Sequence, residues 1–300
     1  MLRPQTPFEK YIRHPLEALA TGCVWMVFRI LPTAWASGLG GWLARSIGPK
    51  LRLSARARDN IRRAFPDIDD AKAERIVLDM WDNLGRTVGE FPHIGGFRFD
   101  GDDPRVRIKG LEHLSAFRDD GQPGFFLSAH IGNWELAPLT AHVHDVPSAF
   151  VYREANNRLV QKLYMSGRRH YRDMMIPKGS EGAKQMIKAL RDGKHVGVMV
   201  DQKMNDGIPV PFFGEDAMTA PALAQLALRF KCPVIPARVI REKGAAFTVE
   251  VSAPIYVEDT GDKAHDVATF MARTNGIIES WIREKPGQWL WLHNRWPGNS

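Results

Sequence analysis

Phe125-Phe126-Leu127-Ser128-Ala129-His130-Ile131-Gly132-Asn133-Trp134-Glu135-Leu136 is the stretch on which the reading of this chain turns. Its apolar opening is too short for a helix and reads as a buried strand. The chain then meets His130, turns at Gly132 and restarts at Asn133, a good N-cap, as a helix beginning Trp134-Glu135-Leu136. His130 is thereby predicted just past the carboxyl end of a strand, the edge at which open α/β sheets bind ligands. Glu135 falls in the first turn of the next helix, and such a junction can fold a carboxylate back onto an imidazole. That contact would fix the ring tautomer, raise its basicity and leave the other nitrogen free to take a proton. His130 and Glu135 are therefore the candidate general base and its partner. A structural histidine beside an acid is the competing reading. No metal site is expected, because the motif lacks the paired histidines or nearby cysteines of zinc sites.

Two further apolar runs repeat the pattern. Ser148-Ala149-Phe150-Val151-Tyr152 delivers Arg153, and Val196-Gly197-Val198-Met199-Val200 delivers Asp201 and Gln202. Three strands ending in polar residues predict a shared rim, with Arg153, Asp201, Gln202 and Asn133 as candidate substrate contacts. Lys178 joins them, since Lys178-Gly179-Ser180 opens a helix whose N-terminus suits an anion. The helix expected after Arg153 carries Arg158, Lys162, Arg168, Arg169 and Arg172, which form a solvated face or a wall for an anionic substrate. Residues 205–219 contain Pro209, Pro211, Phe212 and Phe213 and read as a long loop, either a lid or a pair of core plugs. The tryptophan-rich tail, residues 289–296, either packs on the core or sits at a membrane interface.

The N-terminal region has its own character. Residues 18–28 are uncharged, Arg29 and Pro32 interrupt, and a second uncharged run extends to Ala44. The first run falls short of the roughly 20 apolar residues of a span. It reads as a tilted membrane helix or as one arm of a hairpin lying in the bilayer surface. Arg45, Lys50, Arg52, Arg56, Arg58, Arg62 and Arg63 follow, opposed only by Asp59; such a cluster stays on the cytoplasmic side and attracts anionic headgroups. The formal net charge of +7 likewise points to an anionic partner. Residues 69–91 read as a helix capped by Asp69 or Asp70, with Ile76, Met80, Leu84 and Val88 as its buried stripe. The two cysteines, Cys23 and Cys232, exclude a disulfide framework. Neither glycine-rich nucleotide motif occurs, so no nucleotide cofactor is expected. The aromatics sit in apolar runs rather than between basic residues, which argues against nucleic acid. Ser128 lacks a nucleophile elbow, and Cys232 precedes Pro233 and an apolar strand. Strands alternating with helices give the fold class: α/β, a mixed, mostly parallel sheet flanked by helices, with an N-terminal hydrophobic membrane helix.

His130-x-x-x-x-Glu135 resembles the His-x-x-x-x-acid motif of the lysophospholipid acyltransferase superfamily. With Val151-Tyr152-Arg153, Val200-Asp201-Gln202, Pro211-Phe212-Phe213-Gly214 and the Trp289 to Trp296 tail, most of the chain resembles that superfamily's lipid A late acyltransferases (lauroyl/myristoyl-type). The resemblance implies a glycerolipid-acyltransferase-like fold, with residues 1–48 as a membrane-anchoring or interfacial segment and 49–300 as the acyltransferase domain. It implies His130 and Glu135 as a catalytic pair, with Arg153 near the lipid phosphates or the thioester. The implied reaction moves a fatty acyl chain from an acyl carrier protein thioester to a hydroxyl of a phosphorylated lipid A precursor. Its implied place is the cytoplasmic face of the inner membrane, and no cofactor is required. Glu in place of the Asp usual in glycerolipid acyltransferases favours the lipid A branch, while Ala129 stands where many relatives have Asn. Lysophosphatidate or ornithine-lipid acyl transfer is the alternative chemistry, and a basic membrane-surface protein the non-enzymatic one.

Overall fold

Two apolar helices, α1 (His14–Ile30) and α2 (Thr33–Ile47), open the chain in the computed structural model, which describes residues 6–102 and 104–296. Pro32 ends the first helix, and α1 and α2 form a helical hairpin. Among the described residues no helix is long and apolar enough to cross a membrane, so the spanning helix is not supported. The reason is visible in α1: Glu17 near its start and Arg29 near its end bracket a stretch too short to span. The hairpin instead presents apolar side chains outward. Ile30 is 73% exposed, Trp35 72% and Leu19 65%.

Basic α3 (Leu53–Ala64) leads to α4 (Asp70–Glu90), whose first free N–H groups are capped by Asp69 at 2.7 Å from the Lys72 N–H. Ile76 and Met80 of α4 are buried as expected, but Val88 is half exposed. The helix turns a different face to α2, where glycines meet. A Cβ on Gly85 would lie 2.1 Å from the Gly40 carbonyl oxygen, and one on Gly89 2.2 Å from that of Ala36. Only glycine permits that backbone approach.

The α/β body follows: β1 (Val106–Lys109), α5 (Leu111–Asp119), β2 (Gly124–Ser128), α6 (Leu136–Val143), β3 (Ser148–Tyr152) and α7 (Arg158–Gly167). Then come β4 (Met175–Pro177), α8 (Ser180–Arg191), β5 (His195–Met199), β6 (Ile208–Phe212), β7 (Glu215–Thr219) and α9 (Ala222–Phe230). The chain closes with β8 (Val234–Arg241), β9 (Phe247–Val251), α10 (Lys263–Glu284) and the tryptophan tail. Seven strands form one sheet in the order β1-β9-β8-β2-β5-β3-β4. Only β8 and β9 pair antiparallel within it, so the mixed, mostly parallel sheet is as expected.

Strand β2 is central and every residue of it is buried, as a strand covered by helices on both faces must be. Alternation sends Phe125 and Leu127 to one core, with Phe270, Trp289 and Trp291, and Phe126 to the other, with Phe150 and Leu139. Burying each such side chain stabilises by about 1.5–3 kcal/mol. The segment read as a long loop is instead the hairpin β6–β7. Its prolines sit in a two-stranded ribbon that has two edges to accommodate them. Phe212 and Phe213 are core plugs, and Trp289, Trp291 and Trp296 are buried as well, which decides the tail in favour of packing.

Buried His195 stacks on Phe117 with ring centroids 3.9 Å apart. Burial pushes its imidazole from 6.5 down to about 4, so it folds neutral. The unfolded chain takes up that proton first, so stability present above pH 6.5 is lost as the pH falls toward 4. Between pH 7 and pH 5 this site should cost about 2 kcal/mol. Urea titrations of His195→Leu should show a pH dependence flatter by that amount, whereas parallel wild-type and variant curves would disprove the assignment.

Candidate active site

Helical and strand ends converge at the carboxyl edge of β2, β5 and β3, which are adjacent in that order. The turn after β2 requires Gly132, which has φ +60°, and a Cβ there would lie 2.0 Å from the Val239 carbonyl oxygen. This turn points His130 across to Asp201, just past β5. The Asp201 carboxylate accepts the His130 backbone N–H at 2.8 Å and lies 2.9 Å from Nδ1 of the ring. Trp289 of the tail donates its Nε1–H to the same carboxylate at 2.8 Å. Asp201 is 1% exposed. Burial alone would raise its pKa, but His130 and these hydrogen bonds hold the carboxyl well below the usual carboxylate range.

A carboxylate accepts only, so His130 Nδ1 carries the proton and Nε2 is left as a lone pair. The Gln202 amide nitrogen lies 3.1 Å from that Nε2 and 2.8 Å from Nε2 of His293. Burial, with the positive charges of Arg56 and Arg153, outweighs Asp201 and brings His293 down to about 4, leaving it neutral. The result is a relay of fixed polarity: Asp201 accepts from His130, and Gln202 donates to two imidazoles. The C-terminal segment clamps this edge, with Leu290 N–H donating to the His130 carbonyl at 3.1 Å.

Glu135 takes a different partner. Its carboxylate is gripped by Arg168, Nη2 at 2.5 Å and Nε at 2.9 Å, a bidentate pair in which both side chains are nearly buried. The Arg168 guanidinium lies over the rings of Phe91 and Tyr152, 5.6 and 5.3 Å from their centroids. Helix α6 starts at Leu136, two residues later than the Asn133 cap predicts. Asn133 is fully buried and donates to Glu90 at 2.8 Å. Glu90 also accepts from Ser37 and from Arg241, while Arg241 reaches Asn83 and Thr87. This buried network welds α2, α4 and β8 to the turn behind His130, and nothing in local sequence announces it.

Arg153 and Lys178 are exposed at the carboxyl ends of β3 and β4, further along the same rim. Sequence reading overlooked His293 and Trp289 as individuals, and it counted Arg168 only within a charged face. The density of aromatics in the tail was the available signal.

The chain matches the model of the bacterial lipid A biosynthesis acyltransferase family over residues 5–297. It belongs to that family. A lipid A biosynthesis acyltransferase of Haemophilus influenzae is 28% identical over 285 residues, 91% of this chain and 87% of the relative. The lipid A biosynthesis lauroyltransferase of Escherichia coli is 25% identical, covering 96% and 94% of the two chains. The myristoyltransferase of the same organism is 24% identical, covering 95% and 88%. The chain is thus an O-acyltransferase of the late lipid A type.

An acyltransferase of this family handles long hydrocarbon chains, and two apolar cavities meet at Trp134. One, about 730 Å³ of empty space with its mouth, runs between the sheet and α6, lined by Phe126, Ala137, Phe150, Val198 and Val251. The other, about 850 Å³, lies under α1 against α4, lined by Trp25, Phe28, Leu84, Val88 and Phe91. Trp134, Glu135 and Arg168 line both, so the ion pair stands at their partition. The Trp134 ring lies 5.3 Å from that of His130.

Removing one member of a nearly buried pair strands the other's charge, at a cost of about 3 kcal/mol. Arg168→Met should lower stability by about that much, and adding Glu135→Gln should recover a large part of it. Denaturant midpoints of the four chains test this, and additive effects would mean that the pair is not coupled.

Proposed function

We propose that this acyltransferase moves a fatty acyl chain from an acyl carrier protein thioester to a hydroxyl of a lipid A precursor. The observation that carries the reading is the buried Asp201 on Nδ1 of His130, which leaves Nε2 as a lone pair on a ring 5.3 Å from Trp134, a residue lining two hydrocarbon-lined cavities. The acceptor hydroxyl displaces the Gln202 amide from Nε2 and gives up its proton there. Its oxygen attacks the thioester carbonyl, and the tetrahedral intermediate collapses with loss of the carrier thiolate. That thiolate takes the proton back from the imidazolium, so no group on the enzyme is left changed. Asp201 fixes the tautomer and stabilises the imidazolium as it forms.

Glu135, the expected partner of His130, is better supported as the mate of Arg168, shaping the opening between the cavities through which the chains approach. Arg153 and Lys178 place positive charge on the rim, suited to an acidic carrier protein or a lipid phosphate. The apolar outer face of α1 and α2 supports attachment in the bilayer surface, with the basic α3 favouring the cytoplasmic leaflet of the inner membrane.

The decisive experiment is mass-resolved transfer from acyl carrier protein to a lipid A precursor or to lysophosphatidate. Transfer to the glycolipid is expected. Transfer to lysophosphatidate alone would overturn the acceptor. His130→Ala should lower kcat by at least about 10³-fold and Asp201→Asn by about 10²–10⁴-fold. Asp201→Asn should also move the acidic limb of the pH–rate profile to lower pH, because the imidazole loses its supporting charge. If Glu135→Gln moves that limb instead, Glu135 is the orienting acid after all.

Membrane attachment is tested separately. Ile30→Glu combined with Trp35→Glu should weaken flotation with anionic vesicles about tenfold or more, each replacement removing roughly 1.5–3 kcal/mol of buried apolar contact. Unchanged flotation would place the contact elsewhere.

A further inference from the structure

A third, polar cleft lies on the far side of Pro92 from the α1 cavity, with about 440 Å³ of empty space. Arg29, at the end of α1, and Arg169, just beyond α7, both line it, together with Thr33, His93 and Gly95. No acidic side chain lines it, and among the described residues neither guanidinium makes an ion pair. Arg169 spends its Nε–H on the ring of His170 at 3.1 Å, and that ring packs so closely on Gly95 that a Cβ there would lie 2.2 Å from it. Burial, Arg169 and His142 together lower the His170 pKa, as expected where positive charges crowd without a counterion. His93 turns its Nε2 to the Phe28 carbonyl at 2.8 Å, tying the cleft wall to α1. Two arginines from separate elements beside a hydroxyl, with no carboxylate, form the donor set that a phosphate selects.

Position narrows the ligand further. The cleft opens at the α1–α2 corner, next to the exposed Ile30 and Trp35. Pro92 lines both the cleft and the apolar cavity under α1, and that cavity ends at Trp134 and Glu135 beside His130. One amphiphile can therefore leave an anionic head in the cleft while its hydrocarbon enters the cavity toward the base. We infer that the Arg29–Arg169 cleft is a phosphate subsite holding a phosphate group of the glycolipid acceptor while one of its acyl chains occupies the α1 cavity. This rests on the lipid A acceptor proposed above.

The test compares the full chain with Arg29→Gln, Arg169→Gln and the double variant on two acceptors: the phosphorylated precursor and the same glycolipid after phosphatase treatment. For the phosphorylated acceptor, the double variant should raise KM about tenfold or more, the loss of two charge-assisted contacts, with kcat within about twofold. The phosphatase-treated acceptor should start at that higher KM and not respond to the substitutions. Losses that multiply, with the substitutions harming both acceptors alike, would overturn the subsite. Both arginines are exposed, so the variants should keep the wild-type melting temperature. Glycolipid binding in micelles, followed by tryptophan quenching, makes the same comparison without turnover. A failure of acyl transfer in the wild type is thus separable from a failure of the phosphate subsite. Flotation on phosphatidylglycerol vesicles without acceptor should be equal for wild type and double variant. A loss there with unchanged acceptor KM would assign the cleft to a bilayer headgroup and overturn the acceptor assignment.

Discussion

A fully buried carboxylate costs several kcal/mol of lost hydration unless its oxygens are paired. Asp201 satisfies that demand with three donors drawn from distant parts of the chain: the His130 backbone, the His130 ring and the Trp289 indole. The consequence is mutual. The buried charge is compensated only while β2, β5 and the tail are docked together, and its three hydrogen bonds favour that arrangement. The imidazole is thereby oriented by the tertiary structure as a whole.

The turn behind His130 is held from the opposite side by a second buried charge. Glu90 receives Ser37, Asn133 and Arg241, and Arg241 is occupied further by Asn83 and the Gly244 carbonyl. Asn83 also donates to the Gly132 carbonyl at 3.0 Å. Helix α4 therefore reaches the catalytic turn through polar contacts and reaches α2 through the glycine approach. One helix thus connects the α1–α2 hairpin to the turn that carries His130.

What could be read from sequence follows from the range of each interaction. Strands buried on both faces must be continuously apolar, so β2, β3 and β5 announced themselves, and their adjacent carboxyl ends brought His130, Arg153 and Asp201 to one rim. Asp69 was legible because a cap acts over three residues. Pairings across tens or hundreds of residues were not. Glu135 lies five positions from His130, yet its carboxylate is paired with Arg168, 33 positions away; His130 finds Asp201, 71 positions away. Asn133 fits a cap by residue type, but its buried amide nitrogen donates to Glu90, its Oδ1 meets no backbone N–H, and the helix begins only at Leu136. The β6–β7 hairpin was hidden by Pro209 and Pro211, which suppress the strand signal although a two-stranded ribbon tolerates them. The half-exposed Val88 shows the same limit in a helix: spacing gives a stripe, but the glycines at 85 and 89 decide which side meets α2.

The three carboxylates around the turn divide their work by what they are paired with. Glu90, matched to an arginine and a ring of amides and hydroxyls, is locked and can only hold position. Asp201, matched to a histidine, is the one whose partner exchanges a proton at its far ring nitrogen without breaking the pair. Glu135, matched to an arginine at the boundary of two cavities, sits where a chain must pass. A pair so placed leaves both cavities largely apolar along their length and concentrates charge at their junction. Hydrocarbon gains nothing by stopping at that charge, whereas an ester or hydroxyl can hydrogen-bond there. The polarity pattern therefore favours poses in which the oxygen-bearing carbons, rather than the chain interiors, lie beside His130.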